Sequence, residues 1–197
     1  MKEQTELEKH EILRQNNHEA NAITRECIES ALILLMKNKR FDEISVTDIT
    51  RKAGVSRTAY YRNYTSKEDI LSEYMRNIHR SISEILKQFD AVTETEKSWL
   101  ALLTAVEQIA TQYKLLLDAG FGGKIISEFA TYMNENTHKG DSKKYFSSFY
   151  WAGAIFSVVS EWVSRGMQTP KEEIAFIGAS LMTEGIRTAE KFGNSCK

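Results

Sequence analysis

The chain has 197 residues, 42% hydrophobic and 27% charged, enough for one compact core or two small ones and too apolar for a disordered chain. Its 26 Lys and Arg stand against 27 Asp and Glu, a net charge of -1, so any attraction to nucleic acid must come from local charge. One proline and ten glycines are too few turn formers for sandwiches, barrels or α/β folds, and an all-α chain is expected.

Met1 to Asn17 is polar with little periodicity, which predicts a flexible N-terminal arm or a frayed helical extension. From His18 to Asn38, Ile23, Cys27, Ala31 and Leu34/Leu35 recur at helical spacing and predict a first helix. Ser45-Val46-Thr47-Asp48 has the capping-box pattern in front of Ile49 and Ala53, so a two-turn helix starts near Val46. Gly54 stops it, because glycine takes the left-handed conformation at a helix end without steric cost. Ser56 then caps a short helix, Arg57 to Asn63. Two short helices joined by a glycine-containing turn of about three residues are the sequence form of a helix-turn-helix.

Ser66 caps a longer helix, along which Ile70, Leu71, Tyr74, Ile78, Ile82, Ile85, Leu86 and Phe89 keep helical spacing. Further helices are expected at about Lys97 to Leu117, Gly123 to Asn134, Lys143 to Arg165 and Pro170 to Phe192, the last with proline in its first turn. The expected organisation is an arm (1–17), a three-helix helix-turn-helix domain (18–68) and a C-terminal helical bundle (69–197).

Charge is concentrated in one place. Lys37 to Lys67 holds eight cations (Lys37, Lys39, Arg40, Arg51, Lys52, Arg57, Arg62, Lys67) against three anions (Asp42, Glu43, Asp48), a local +5 in a chain of -1. The cations surround the helix Arg57 to Asn63, which also carries Thr58, Tyr60 and Tyr61. Arginine and hydroxyl side chains at the start of such a helix suit base edges and phosphates in a major groove.

The run from Val46 to Leu71 resembles the N-terminal domain of TetR-type transcriptional regulators, with Ile49, Ala53-Gly54-Val55, Tyr61, Tyr64, Lys67 and Glu68 in that family's places. Tyr64 stands where phenylalanine is usual and Asn63 where histidine is common. The resemblance implies that Arg57, Thr58 and Ala59 face bases and that Thr47, Tyr61, Arg62 and Lys67 hold phosphates, Lys67 beside a helix N-terminus. Tyr60 and Tyr64 are expected in the core. The implied partners are double-stranded DNA carrying a palindromic operator, a second copy of the chain and a small-molecule effector of unspecified class. The implied function is a homodimeric regulator, repression being the commoner outcome in the family.

Phe149 to Pro170 resembles the penultimate helix of one subgroup, with Gly153, Trp162, Gly166 and Pro170 at familiar intervals. Phe149, Gly153, Phe156, Ser160 and Val163 share one helix face, and Ile174, Ile177/Gly178, Leu181, Gly185 and Ala189 share another. Small residues there let helices approach closely, so a dimer seam through the last two helices is expected. An effector pocket is expected among the middle helices, lined by Tyr113, Phe121, Phe129, Tyr132, Met133, Trp151 and Phe156.

No catalytic residue, metal site or cofactor is expected. His10-Glu11 and His18-Glu19 are followed four positions after each histidine by Arg14 and Ala22, so neither completes a zinc-protease motif. Gly54 to Thr58 lacks the closing glycine of a nucleophile elbow, and Gly120 to Lys124 matches no phosphate-binding loop. Cys27 and Cys196 have no spacing for a disulfide framework or zinc, and free thiols are expected. Met1 to Glu11 has no apolar core for a signal peptide, and the longest apolar run, Phe149 to Val159, falls short of the ~18 residues of a membrane span. A cytoplasmic address is the expectation. The second reading is a helical ligand- or partner-binding module without DNA-binding function, against which the intact caps and the +5 segment argue.

Overall fold

In the computed structural model, residues 2–90, 93–135 and 142–195 are described, and among them all regular structure is helical. The helices are α1 (Lys2–Met36), α2 (Val46–Ala53), α3 (Arg57–Asn63), α4 (Lys67–Leu86), α5 (Thr95–Gln108), α6 (Ala110–Asp118), α7 (Gly122–Glu135), α8 (Ser142–Ser164) and α9 (Lys171–Ser195), with a 3-10 turn at Phe41–Glu43. The chain forms two compact units, Met1–Tyr74 and Met75–Lys197, whose boundary falls inside α4. None of the described helices is long and apolar enough to cross a membrane.

In the first unit, α1 packs on α2 and α3. Ile28 and Leu32 of α1, Ile49 of α2, Tyr60 of α3 and Ile70 and Leu71 of α4 are fully buried together with Ile44. Residues 2–17, expected as an arm or a frayed helical extension, are helical and form the first half of α1. Of the expected α1 stripe, Ala31 is buried and Leu35 half-buried, whereas Ile23 is 62% exposed and Cys27 and Leu34 also face out; Ile28, Leu32 and Met36 turn inward beside Ala31. Both sets keep helical spacing, and the partner helices select which of them faces in.

In the second unit, α5 packs on α9, while α6 and α7 pack on α8. Trp99, Leu103, Val106, Leu116, Ile125, Ala152, Val159, Trp162 and Val163 supply much of this core. The helix expected at Lys97 to Leu117 is broken at Ile109, whose φ of -114° and ψ of 15° leave the helical region. No glycine or proline marks the break. It lets one stretch of sequence pack on two partners, α9 before it and α8 after it. Trp99 lies so close over Gly178 of α9 that a β-carbon there would come within 2.5 Å of the indole. The α8–α9 turn carries two left-handed residues, Gly166 (φ 71°) and Met167 (φ 56°), and the Trp162 indole N–H donates to Thr169 O at 2.8 Å across it.

Candidate nucleic-acid interface and ligand cavity

The helix-turn-helix is fixed by local chemistry. Ser45 Oγ accepts from the Asp48 N–H at 3.1 Å, and Asp48 Oδ2 accepts from the Ser45 N–H at 3.0 Å, from Ser45 Oγ at 2.8 Å and from Lys39 Nζ at 3.0 Å. The Ser45 backbone and side-chain donors, then Lys39, hold the Asp48 carboxyl well below the usual carboxylate range. Gly54 takes φ 69°, and Val55 N–H closes the turn on Thr50 O at 3.1 Å. Ser56 Oγ accepts from the Ala59 N–H at 3.0 Å and starts α3.

Helix α3 divides cleanly into two sides. Tyr60 is fully buried and Asn63 half-buried, while Arg57, Thr58, Tyr61 and Arg62 are exposed. The exposed four sit at i, i+1, i+4 and i+5, on one face of a helix. Of the three residues expected to face bases, Arg57 and Thr58 lie on this face, and Ala59 is half-buried at its margin. Arg57 donates to Thr47 Oγ1 at 2.6 Å, which ties the start of α3 to the start of α2 and brings together one expected base contact and one expected phosphate contact.

Lys67 does not join this surface. Its ammonium donates to three backbone carbonyls, Phe41 O at 2.6 Å, Asp42 O at 3.0 Å and Ile44 O at 3.0 Å, and lies 4.6 Å from the Phe41 ring centroid. All three ammonium hydrogens are therefore engaged. In the chain without DNA, Lys67, expected as a phosphate contact, closes the 3-10 turn, donating to Asp42 O and Ile44 O and sharing Phe41 O with the Ile44 N–H. Lys39 and Arg40 are likewise engaged, with Asp48 and Asp42. Lys37, Arg51, Lys52 and Arg62 are exposed and make no ion pair or hydrogen bond with the described residues. Arg51 and Lys52 are candidate phosphate contacts that motif matching passed over, though the charge tally contained them.

The two tyrosines expected in the core are both buried, with different outcomes for their hydroxyls. Tyr64 donates to Glu29 Oε1 at 2.7 Å, and the Arg25 guanidinium lies 5.3 Å from its ring centroid while also pairing with Glu73 at 3.1 Å. Burial raises the Glu29 carboxyl despite that hydrogen bond, and burial followed by Glu29 raises the Tyr64 phenol. The buried Tyr60 hydroxyl has no hydrogen-bond partner among the described residues, and burial pushes its phenol up to about 12.

The second unit holds two adjoining cavities that share Leu102, Phe129 and Ile155 as a common wall. The smaller, about 60 Å³, includes Met75, His79, Tyr113 and Phe156 in its lining; Tyr113 Oη lies 3.0 Å from Ser160 Oγ. Burial holds the His79 imidazole below its ordinary value, opposed by Glu128. The larger, about 230 Å³, is lined by Leu86, Thr95, Ser98, Trp99, Met133 and Met182 among others. Of the expected pocket residues, Tyr113, Phe129, Met133 and Phe156 line these cavities, and Phe121 and Trp151 line neither. The Tyr132 side chain lies outside the described residues. His79 and Ser98 were not expected, since neither interrupts a helical pattern.

The residues expected at a dimer seam separate into two groups. Phe149, Ile177 and Leu181 are exposed, and Phe176, Tyr145, Phe146 and Tyr150 join them as large apolar or aromatic side chains facing out. Val163 is buried in the subunit, Phe156 lines the smaller cavity, and Ile174 is half-buried. A β-carbon at Gly185 would come within 3.0 Å of the Trp151 ring, so that glycine serves packing within the chain, whereas one at Gly153 would meet nothing nearer than Ile126 at 4.0 Å. Ser160 is engaged with Tyr113, and the Ala189 side chain lies outside the described residues.

Comparison with known proteins gives concordant matches. Residues 31–74 match the family described as bacterial regulatory proteins, tetR family, and residues 85–184 match a transcriptional regulator C-terminal region of the same class. The HTH-type transcriptional regulator YxbF of Bacillus subtilis (strain 168) is 26% identical over 77% of this chain, which spans only 42% of that protein. DhaS of Lactococcus lactis subsp. lactis (strain IL1403), an HTH-type dhaKLM operon transcriptional activator, is 24% identical over 79% of this chain and 87% of its own length. A TetR transcriptional regulator from Streptococcus agalactiae 2603V shares the fold with a TM-score of 0.60 at 21% identity, over 85% of this chain and 98% of that one.

Proposed function

The chain belongs to the TetR family of transcriptional regulators, and from that premise we propose that it binds an inverted-repeat operator in double-stranded DNA as a homodimer, placing two copies of α3 in successive major grooves. The observation that carries this reading is the outward face of α3, where Arg57, Thr58, Tyr61 and Arg62 are exposed, together with the exposed cations Arg51 and Lys52 in the last turn of α2. Arg57 and Thr58 are the proposed base readers, with Ala59 able to offer only a methyl group at their edge. Thr47, Tyr61, Arg62, Arg51 and Lys52 are the proposed phosphate contacts. Binding, not catalysis, is the activity proposed, on DNA of the cytoplasm.

Dimerisation is assigned to the exposed apolar residues of α8 and α9, including Phe149, Phe176, Ile177 and Leu181, which a two-fold axis would cover with a second copy of themselves. Release by a small-molecule effector is assigned to the cavities of the second unit. Residues Met75, Ile78, His79 and Ile82 of α4 line the smaller cavity, and Ile70 and Leu71 of the same helix are core residues of the first unit. A ligand that favours one position of α4 over another therefore changes the free energy of DNA binding. The two α3 helices must reach grooves ~34 Å apart, so a small change in separation weakens the complex. Repression is the proposed direction, because a bound dimer blocks an overlapping promoter without further contacts. DhaS, an activator by name, illustrates the opposite outcome, and reporter transcription from the identified site decides between them.

The test is selection of a random duplex library on the protein at ~150 mM salt, where non-specific electrostatic binding is weakened. An enriched palindrome is expected. Failure to enrich any sequence at ~50 mM salt as well, where phosphate contacts are strongest, would favour a helical ligand- or partner-binding module without DNA-binding function.

A further inference from the structure

Four cations around the helix-turn-helix differ in the partners they have taken. Lys39 and Arg40 pair with the carboxylates of Asp48 and Asp42, and Lys67 donates to backbone carbonyls. Arg57, the first residue of α3, is exposed, and its partner among the described residues is a neutral hydroxyl, Thr47 Oγ1, at 2.6 Å. That hydroxyl is free to accept because of where Thr47 stands. Serine and threonine inside a helix ordinarily return the hydroxyl to the carbonyl four residues back, as Thr24 does to Ala20 O at 2.8 Å and Ser72 to Glu68 O at 2.6 Å. Thr47 is the second residue of α2, so no carbonyl of its own helix lies behind it. Its hydroxyl serves the next helix instead.

From this we infer that Thr47 is a positioning residue that holds Arg57 for a guanine, one in each operator half-site. The inference rests on the DNA-binding reading above and deepens it. Arginine carries five N–H donors and no acceptor, so Thr47 takes one and leaves four. A bidentate contact to guanine O6 and N7, the commonest specific contact in the major groove, needs two. The neutrality of the partner matters. A carboxylate in the place of Thr47 would hold the guanidinium by a stronger, charge-assisted bond and compete with DNA for it, whereas a hydroxyl fixes the head group and leaves its charge whole. An exposed arginine otherwise gives up rotamer freedom when it binds, and holding it beforehand lowers that cost. Because Thr47 Oγ1 accepts from Arg57, it keeps its own hydrogen to donate. A phosphate oxygen is the acceptor that the proposed contact supplies, so one hydroxyl ties the DNA backbone to the base read beside it.

The test uses full-length protein and the duplex recovered by the selection above, with each half-site position changed in turn to the other three bases. The wild type is expected to prefer guanine at one position per half-site, and Arg57→Ala to lose that preference alone. Thr47→Val keeps the shape of the side chain without its hydroxyl. Its preference for guanine at the Arg57-dependent position should fall about three- to tenfold, the equivalent of ordering one long side chain. Preferences elsewhere should stay, with affinity for every duplex lowered by one uniform factor for the lost phosphate contact. Thr47→Ser should restore the guanine preference. Thr47→Ala, a better helix former, should repeat the loss and so separates it from any disturbance of α2 by valine. A purely uniform loss in both variants without the hydroxyl would overturn the inference and leave Thr47 a phosphate contact only. So would a serine variant that behaves like valine, or a base other than guanine at the position that depends on Arg57. In each of those cases the protein still binds its operator and the DNA-binding reading survives; if no duplex is recovered, that reading fails first and takes the inference with it.

Discussion

One atom decides the contrast between Tyr60 and Tyr64. Tyr60→Phe deletes a buried hydroxyl without a partner and is expected to stabilise the protein by about 1 kcal/mol, whereas Tyr64→Phe removes the donor to Glu29 and costs about 1–2 kcal/mol. Urea denaturation midpoints at constant slope check both, and midpoints moving the same way would refute this account. The position matching a customary phenylalanine, Tyr64, is thus the one that has found a use for its hydroxyl. Arg62 and Lys67 form a second contrast, between function and fold. Arg62→Ala should leave stability within ~0.5 kcal/mol, as for an exposed side chain away from special features, and lower the salt slope of operator binding by ~0.9. Lys67→Ala removes the side-chain donor to Asp42 O and Ile44 O, Phe41 O keeping the Ile44 N–H, and should cost about 1–3 kcal/mol of stability. A motif comparison places both cations beside DNA, because it registers charge and position but not which donors are already spent.

At the scale of elements, the caps govern acid sensitivity. Asp48 is held ionised in the folded chain below its unfolded value of about 3.9. Its contribution to stability is therefore complete above that value and is lost as pH falls towards the lower folded value. Asp48→Asn should reduce stability at neutral pH and flatten its decline below about pH 4, as followed by chemical denaturation across pH 2 to 6. Glycines in helices give a further pair of opposite signs. Gly178→Ala drives a methyl into the Trp99 ring, an overpacking cost of about 1–3 kcal/mol that exceeds the helix-propensity gain. Gly153→Ala meets nothing nearer than Ile126 at 4.0 Å and should gain about 0.5–1 kcal/mol. These elements were unequally legible in sequence. Helices α2 and α3 begin and end where Ser45, Gly54 and Ser56 indicate, since capping acts within four residues. The stripe of α1 was read only in part, because Ile23 and Leu34 have the right chemistry and only the partner helices select the face.

For the molecule as a whole, the open question in the sequence was which apolar residues serve the interior and which a second copy. Helical spacing grouped Phe149 with Val163, and Leu181 with Gly185, yet packing sends the first of each pair outward and uses the second within the chain. Leu181→Arg places a charge at a site 66% exposed, so folding should be unaffected. Sedimentation is then expected to report a dimer for the wild type and a monomer for the variant, with loss of tight operator binding because two half-sites can no longer be held together. A dimeric Leu181→Arg protein would relocate the seam. The sequence divides the chain at 68/69, and the two compact units meet at Tyr74 and Met75 of the same helix, whose unbroken apolar period from Ile70 to Leu86 carries no mark of the exact point.

The interruption at Ile109 has a consequence in time. An amide exchanges its hydrogen when the structure around it opens, and a long helix resists opening because each turn is held by the next. Dividing Thr95 to Asp118 at Ile109 introduces a second start, whose first amides have no partner within their own helix. Exchange should therefore begin at Ala110 to Gln112 and spread into α6 before α5, which Trp99 anchors on α9. The wall of the cavities would then loosen from the α6 side, and an entering ligand would find its way in through a seam that already breathes.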